Sequence, residues 1–362
     1  MGLLGLFGKK RITQSFFVNA YGNDQTRGIY TFNVDMENGE ILYKNRFATP
    51  SNPVYGFEYG RFVLITYKNR TGAIGDGGVC SYSMTADALM LASRITNDGK
   101  TYNCVCTDGD DENCDRVYGT DYYNGEVMMG AVVKRKMVCT LDTFVLHGSS
   151  KDPVLQSQPH PTFCTMTPQK DGLIVLDLGQ DKVLFFDEDD KGLVLDNVHS
   201  LDLTPGSGPI KMLYSEDQTK VYILNSLSST IDVYDYKDRE LKLIQTLNTY
   251  PKEEGEEKNQ ATNMKLSQDF KHLYVLNSGH DSLAFYNVLE DGTLEYVEFV
   301  DTSKDPVDLE IFDNKWILVA CKKGGIIESY QYLEERKGML LETKYSYLVN
   351  EPVFIEKFGK QI

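Results

Sequence analysis

The sequence predicts an all-β chain folded as a seven-bladed β-propeller whose N- and C-terminal strands pair to close the ring. Three observations carry that reading. A strand–turn–strand–turn–strand unit, GPIKMLYSEDQTKVYILNSLSSTIDVYDY from Gly208 to Tyr236, recurs as TNMKLSQDFKHLYVLNSGHDSLAFYNV from Thr262. Units of this kind return along the whole chain at a spacing that marks propeller blades. The chain also begins without the first strand of a unit and ends with one to spare.

Read at period two, Gly208–Tyr236 gives strands over Met212–Ser215, Lys220–Leu224 and Thr230–Tyr234, separated by polar turns at Glu216–Gln218 and Ser226–Ser229. The end of each second strand serves as a register mark. These marks are Tyr21, Tyr67, Tyr122, Asp177, Asn225, Asn277 and Cys321, at intervals of 44 to 55 residues. A third strand follows each mark, from Gly28–Asp35 in the first unit to Gly325–Tyr332 in the last, and a fourth usually follows, such as Leu294–Val300.

Proline opens most units, at Pro53, Pro161, Pro209 and Pro306. It cannot donate to a sheet ladder, so it belongs at the first position of a strand. The first unit enters directly at SFFVNAYG, and Pro352-Val-Phe-Ile-Glu-Lys-Phe358 supplies its missing strand. Closure of this kind removes the exposed edges of an open array. The expected organisation is an N-terminal extension over 1–14 and one propeller over 15–358, with its first blade completed by 352–358. The charge runs Lys252–Lys258 and Asp187–Asp190 read as solvated loops.

The formal net charge is −16. It argues against a nucleic-acid partner, which needs clustered Lys and Arg to replace counterions, and against an anionic membrane surface. A small anionic ligand remains compatible, because a local cationic pocket can sit on an acidic body. Seven Cys, an odd number, and no secretory signal point to a reducing, cytoplasmic setting. In the opening MGLLGLFGKKR the apolar run precedes the basic residues, the wrong order for a signal peptide, and it is far too short to span a bilayer.

In a blade, the second strand ends at the edge where the first begins, so residues at those positions converge on one mouth of the central channel. This selects His160, Thr162, Asp177, Lys211, Asn225, Ser226, Asn263, Lys265, Asn277 and Ser278, with Tyr67, Asp121, Asp308 and Lys322 beside them. Lys211, Lys265, Lys322 and His160 suit a phosphate or carboxylate ligand; the other reading is that they solvate the rim or pair with Asp121, Asp177 and Asp308. His160 is the candidate acid–base group, since histidine exchanges protons near neutral pH; the other reading is a turn residue between Pro159 and Pro161. No nucleophile elbow, Walker loop or His-Glu-x-x-His occurs. No metal or cofactor is expected. Cys104-Val-Cys106 with Cys114 lacks a fourth ligand, and Asp108-Gly-Asp110-Asp-Glu112 starts like a calcium loop that Asn113 and Gly119 then break.

Gly28-Ile-Tyr30, Asn38-Gly-Glu40, Gln158-Pro-His-Pro161, Asp177-Leu-Gly-Gln-Asp181, Gly208-Pro209, Asn225 with Ser228 and Ser229, Asn277 with Gly279, and Pro352-Val353 together resemble the seven-bladed lactonase propellers. That group includes the bacterial 6-phosphogluconolactonase type and the carboxymuconate-lactonizing enzymes. The resemblance implies lactone chemistry at the channel mouth, without a cofactor. Enzymes of the group read Pro-His-x-His, Gly-Pro-Arg-His, Asn-Glu, a Glu with a nearby His in the sixth unit, and Asn-Arg. The corresponding residues here are Thr162 for the second His, Ile210-Lys211 for Arg-His, Ser226 for the Glu, Asn263 and Lys265 for the sixth-unit pair, and Ser278 for the Arg.

Two functions follow. One is a 6-phosphogluconolactonase-like hydrolase of a sugar lactone, with Lys211 and Lys265 binding the anionic substrate and His160 or Asp177 activating water. The other is a non-catalytic propeller that binds a sugar-derived or anionic ligand, or a protein partner, at the same mouth. The sequence does not indicate an oligomeric state.

Overall fold

The structure, a computed structural model, describes residues 11–50, 52–59, 62–68, 77–96, 100–109, 116–133, 136–251, 259–334 and 339–359. Most of the terminal extension, the charge run 252–258, Cys114 and the end of the acidic stretch after Gly109 lie outside them. The strands form seven four-stranded antiparallel sheets, the blades. Blades 2 to 7 each use four strands consecutive in sequence, while blade 1 takes its first strand from the far end of the chain.

The first strands are Pro352–Phe358 in blade 1, Pro53–Tyr59 in blade 2, Tyr102–Thr107 in blade 3, Pro161–Met166 in blade 4, Pro209–Tyr214 in blade 5, Gln260–Leu266 in blade 6 and Pro306–Phe312 in blade 7. Each touches the first strands of both neighbouring blades, so together they form the inner wall of a closed ring. Proline stands first in five of them, where its missing N–H leaves no ladder bond unmade. In blade 5 the inner strand starts at Pro209, three residues before the Met212 that hydrophobic alternation alone marks.

The predicted closure is present. Thr13–Ala20 pairs antiparallel with Pro352–Phe358, from Ser15 opposite Phe358 to Ala20 opposite Pro352. The apolar run in Thr13–Ala20 alternates by face: Phe16, Val18 and Ala20 pack with Phe312, Trp316 and Leu318 of blade 7. Phe17 packs with Val63, Ile65 and Tyr82 of blade 2. Both faces are buried, which explains the continuous hydrophobic run. A second tie crosses the blade 7–blade 1 seam, where Trp316 Nε1 donates to the Met36 carbonyl at 3.1 Å.

Two register marks shift by one residue. The residue opposite the start of the inner strand is Ala20 in blade 1 and Asp121 in blade 3, not Tyr21 and Tyr122. In blade 1 the second strand ends at Ala20, which faces Pro352. In blade 3 Tyr102 faces Asp121 directly. Tyr67, Asp177, Asn225 and Cys321 stand at the marked position, and in blade 6 Asn277 faces Ala261, the second residue of the inner strand.

Gly39 sits in the blade 1 turn that lies against Trp316, at φ +78, and a Cβ there would come 2.6 Å from the indole. A Gly39→Ala variant combines left-handed backbone strain with overpacking, and should lose about 2 kcal/mol or more of stability. Urea unfolding midpoints of variant and wild type check this; equal midpoints would mean the seam absorbs the methyl group.

Candidate functional site

The inner strands enclose a cavity of about 280 Å³ to which all seven blades contribute. That size is at the small end of ligand pockets and matches a metabolite rather than a polymer. Its wall is built in tiers. In the outermost tier, Thr162 Oγ1 lies 2.9 Å from the Pro209 carbonyl and Thr262 Oγ1 donates to the Pro306 carbonyl at 2.7 Å. Asn103 Nδ2 donates to the Thr162 carbonyl at 2.6 Å. These side-chain bonds link one inner strand to the next.

One tier deeper, Lys211 Nζ lies 5.1 Å from the centre of the Phe163 ring. Its ammonium has no carboxylate within ion-pair distance among the described residues. Asn263 Nδ2 donates to Asp308, whose other oxygen accepts the Ile355 N–H at 2.8 Å. Deeper again, Lys265 bridges two acids: it contacts Glu310 and lies 3.2 Å from Glu356. Lys357 approaches the second oxygen of Glu310 at 3.3 Å.

This network sets its own protonation. Burial alone would lower the Lys265 pKa, but Glu310, Glu356 and Asp308 outweigh it and hold the ammonium charged. Burial also works against ionisation of Glu310, yet Lys265 and Lys357 keep that carboxyl below its ordinary range. Asp308 is pushed up to about 6 by burial, against the pull of Lys265. Glu356 is pushed up to about 7 by burial, with Lys265 opposing and Glu310 and Asp308 adding. Three buried acids thus share two lysines, and burial raises the carboxyl pKa of the two that the lysines hold less firmly, Asp308 and Glu356.

His160 stands at the rim, just before the inner strand of blade 4. Its ring stacks on Tyr122 with centroids 4.3 Å apart, and Nδ1 lies 2.8 Å from the Tyr122 carbonyl. A carbonyl only accepts, so Nδ1 carries the proton and Nε2 keeps a lone pair in the neutral ring. Asp177 lies behind it and is fully buried. Its carboxylate accepts the backbone N–H groups of His160, Gly179 and Gln180 and the Gln180 side chain. Burial pushes the Asp177 pKa up against those bonds. Asp121 does the same job in blade 3, accepting from Tyr123, Asn124 and Thr101.

The positions selected from the sequence therefore separate into three groups. Thr162, Lys211, Asn263 and Lys265 line the cavity. His160, Ser226 and Ser278 stand at the rim, where the Ser278 hydroxyl donates to Asp305 at 2.6 Å and Ser226 gives its N–H to the Gly208 carbonyl. Asp177, Asn225 and Asn277 are fully buried and hold turns: Asn225 Nδ2 donates to Asp232 at 2.7 Å, and Asn277 bonds Thr249 and Asn259. Among the described residues no group of His, Cys, Asp or Glu is arranged to hold a metal ion.

With this geometry in view, likeness to known proteins becomes informative. A family profile described as "Lactonase, 7-bladed beta-propeller" matches residues 15–357. The chain belongs to that lactonase family. It is similar to a 6-phosphogluconolactonase of Bacillus subtilis (strain 168), at 26% identity over 316 residues, 84% of this chain and 86% of that one. In fold it matches a putative 6-phosphogluconolactonase from Bacteroides fragilis, with TM-score 0.85, 24% identity, and coverage of 96% and 98% of the two chains. It also matches a periplasmic gluconolactonase of Pseudomonas aeruginosa, with TM-score 0.85, 20% identity, and coverage of 96% and 99%.

Glu310 and Glu356 were not singled out in this lactonase-family sequence, although the signal was there. Counted from the residue opposite the register mark, Lys265, Glu310 and Glu356 occupy the same position in three neighbouring inner strands.

The raised Glu356 carboxyl yields a pH prediction. Its pKa rises from 4.5 in the ordinary case to about 7 in the fold. Between those values the folded state holds a proton that the unfolded chain releases, so stability falls as pH rises, and the loss is complete above about 7. Glu356→Gln removes that slope. Urea unfolding from pH 5 to pH 8, spanning about that window, should show the variant gaining on wild type as pH rises. Parallel curves would remove Glu356 as the titrating group.

Proposed function

We propose that this propeller is a 6-phosphogluconolactonase-like hydrolase of a sugar lactone, acting at the rim and upper cavity. The observation that carries the reading is an imidazole of fixed tautomer at the rim of blade 4 and an unpaired ammonium in the cavity wall of blade 5, the next blade. His160 Nε2 has a lone pair to offer, and Lys211, on Phe163 three residues along the same strand, has a positive charge to offer.

In this scheme water attacks the lactone carbonyl carbon as His160 Nε2 takes its proton. Negative charge gathers on the carbonyl oxygen, where Lys211 stabilises it. The ring C–O bond then breaks, and the imidazolium returns its proton to the leaving alkoxide, giving the open hydroxy acid. Asp177 acts as a positioning residue that fixes the His160 backbone. Thr162, Ser226, Asn263 and Ser278 supply polar lining, Asn225 and Asn277 shape the turns above it, and Lys265 stays within its glutamate pair. The six described cysteines are all free thiols, in keeping with a cytoplasmic setting, and a sugar-lactone substrate would place the reaction in carbohydrate metabolism.

A second reading keeps the ligand and drops the chemistry. It is favoured by Ser226 and Ser278, whose hydroxyls are poor bases and weak cation substitutes at rim positions. The test is δ-lactone opening above the spontaneous rate, with 6-phosphogluconolactone and its unphosphorylated analogue. His160→Ala should lower kcat by about 10²-fold or more, and Lys211→Ala should lower kcat/KM by about tenfold or more. No excess rate on either lactone leaves the binding reading. An excess rate untouched by both substitutions would move the chemistry elsewhere.

A further inference from the structure

The rim repeats one hydrogen bond. In five blades, the residue after the end of the second strand gives its backbone N–H to the carbonyl just before the inner strand. The bonds are Tyr21 to Glu351 at 3.0 Å, Lys68 to Asn52 at 3.1 Å, Leu178 to His160 at 3.0 Å, Ser226 to Gly208 at 2.7 Å and Lys322 to Asp305 at 2.8 Å. Tyr21, Lys68 and Lys322 therefore hold the same rim position in blades 1, 2 and 7, which are neighbours around the closed ring.

Their side chains converge. Lys68 Nζ lies 4.3 Å from the centre of the Tyr21 ring, and Lys322 Nζ lies 5.7 Å from it. Neither ammonium has a carboxylate within ion-pair distance among the described residues, whereas the next residue, Lys323, pairs with Asp305 at 3.4 Å. Lys265 in the cavity wall and Lys357 beside it in the charge network are paired as well. Burial, then the charge of Lys322, lowers the Lys68 pKa. Burial, followed by Tyr123 and Glu351, keeps the Tyr21 hydroxyl protonated, so it remains a donor. On a chain of net charge −16, two lysines gathered on one aromatic ring, neither in an ion pair among the described residues, are a local excess of positive charge.

We infer that Tyr21, Lys68 and Lys322 form a clamp for a doubly charged oxyanion, the phosphate group of a ligand entering the channel mouth. The ring fixes the two ammoniums in advance by cation–π attraction, and a phosphate set among them removes their repulsion. Each ammonium brings several donors and the phenol one more, which suits the three terminal oxygens of a phosphate ester. A carboxylate, with one charge, would leave one lysine uncompensated. The clamp deepens the lactone reading by making the substrate a phosphorylated one, and rests on that reading for the sugar part of the ligand but not for the phosphate. The phosphate can belong to a sugar ester or be free in solution, and the two are separable by titration.

The experiment is calorimetric titration of the full chain with inorganic phosphate, gluconate and 6-phosphogluconate, at low and at physiological salt. Wild type should bind 6-phosphogluconate about tenfold or more tighter than gluconate, with the gap narrowing as salt rises. Lys68→Gln and Lys322→Gln should each collapse that ratio, with thermal unfolding of both variants confirming the fold. Either variant alone suffices if the other does not fold. Binding of inorganic phosphate that both substitutions weaken, without preference for 6-phosphogluconate, supports the clamp with free phosphate as its ligand. Equal affinity for the two aldonates with no phosphate binding, or a preference that survives both substitutions, overturns it. A chain that opens no lactone yet keeps the ratio loses the hydrolase reading and keeps the clamp.

Discussion

A ring of sheets stands only if its last edge is paired, and here that pairing joins the two ends of the chain. The ladder between Thr13–Ala20 and Pro352–Phe358 lets seven inner strands face one axis. Because each inner strand is wedged between two others, its side chains have two places to go. Some fill the spaces between blades, and the others line the lumen, where polar groups stand among Val54, Ile210, Val307 and Val353. At the deepest tier charged groups keep mutual company, and the Lys265, Glu310 and Glu356 cluster is the result.

The rim obeys a different rule. At the end of each second strand the chain must reverse within a few residues, and the backbone donors of that turn need acceptors. Asp121 and Asp177 provide them with a carboxylate, and Asn225 and Asn277 brace the turn with an amide. Residues with the chemistry of a catalyst are thereby committed to architecture. The groups free to meet a ligand lie one residue further on, or in the tier below.

Much of this was legible in the sequence because it follows from short-range rules. Alternation located the strands, proline located their first residues, and the stranded strand at Pro352 located the seam. The rim was legible only in part. The tyrosine pair at Tyr122 and Tyr123 concealed that Asp121 ends the strand, and in blade 1 Tyr21 likewise drew the mark one residue past Ala20. A one-residue displacement exchanges a buried turn holder for a channel-facing residue. Whether a lysine is free or spoken for was not legible at all. Lys211 and Lys265 look alike in sequence, and what separates them is the presence of Glu310 and Glu356 on neighbouring strands, 45 and 91 residues away.

Glu356 belongs to the strand that completes the ring, and it also completes the charge cluster in the lumen. During synthesis the chain emerges from its N-terminus, so Thr13–Ala20 waits through the making of six other blades before its partner exists. Once made, Lys265 and Glu310 face a gap until the closing strand is in place. The cavity is therefore the last feature the chain builds, and a newly made protein acquires its binding site and its final edge in the same event.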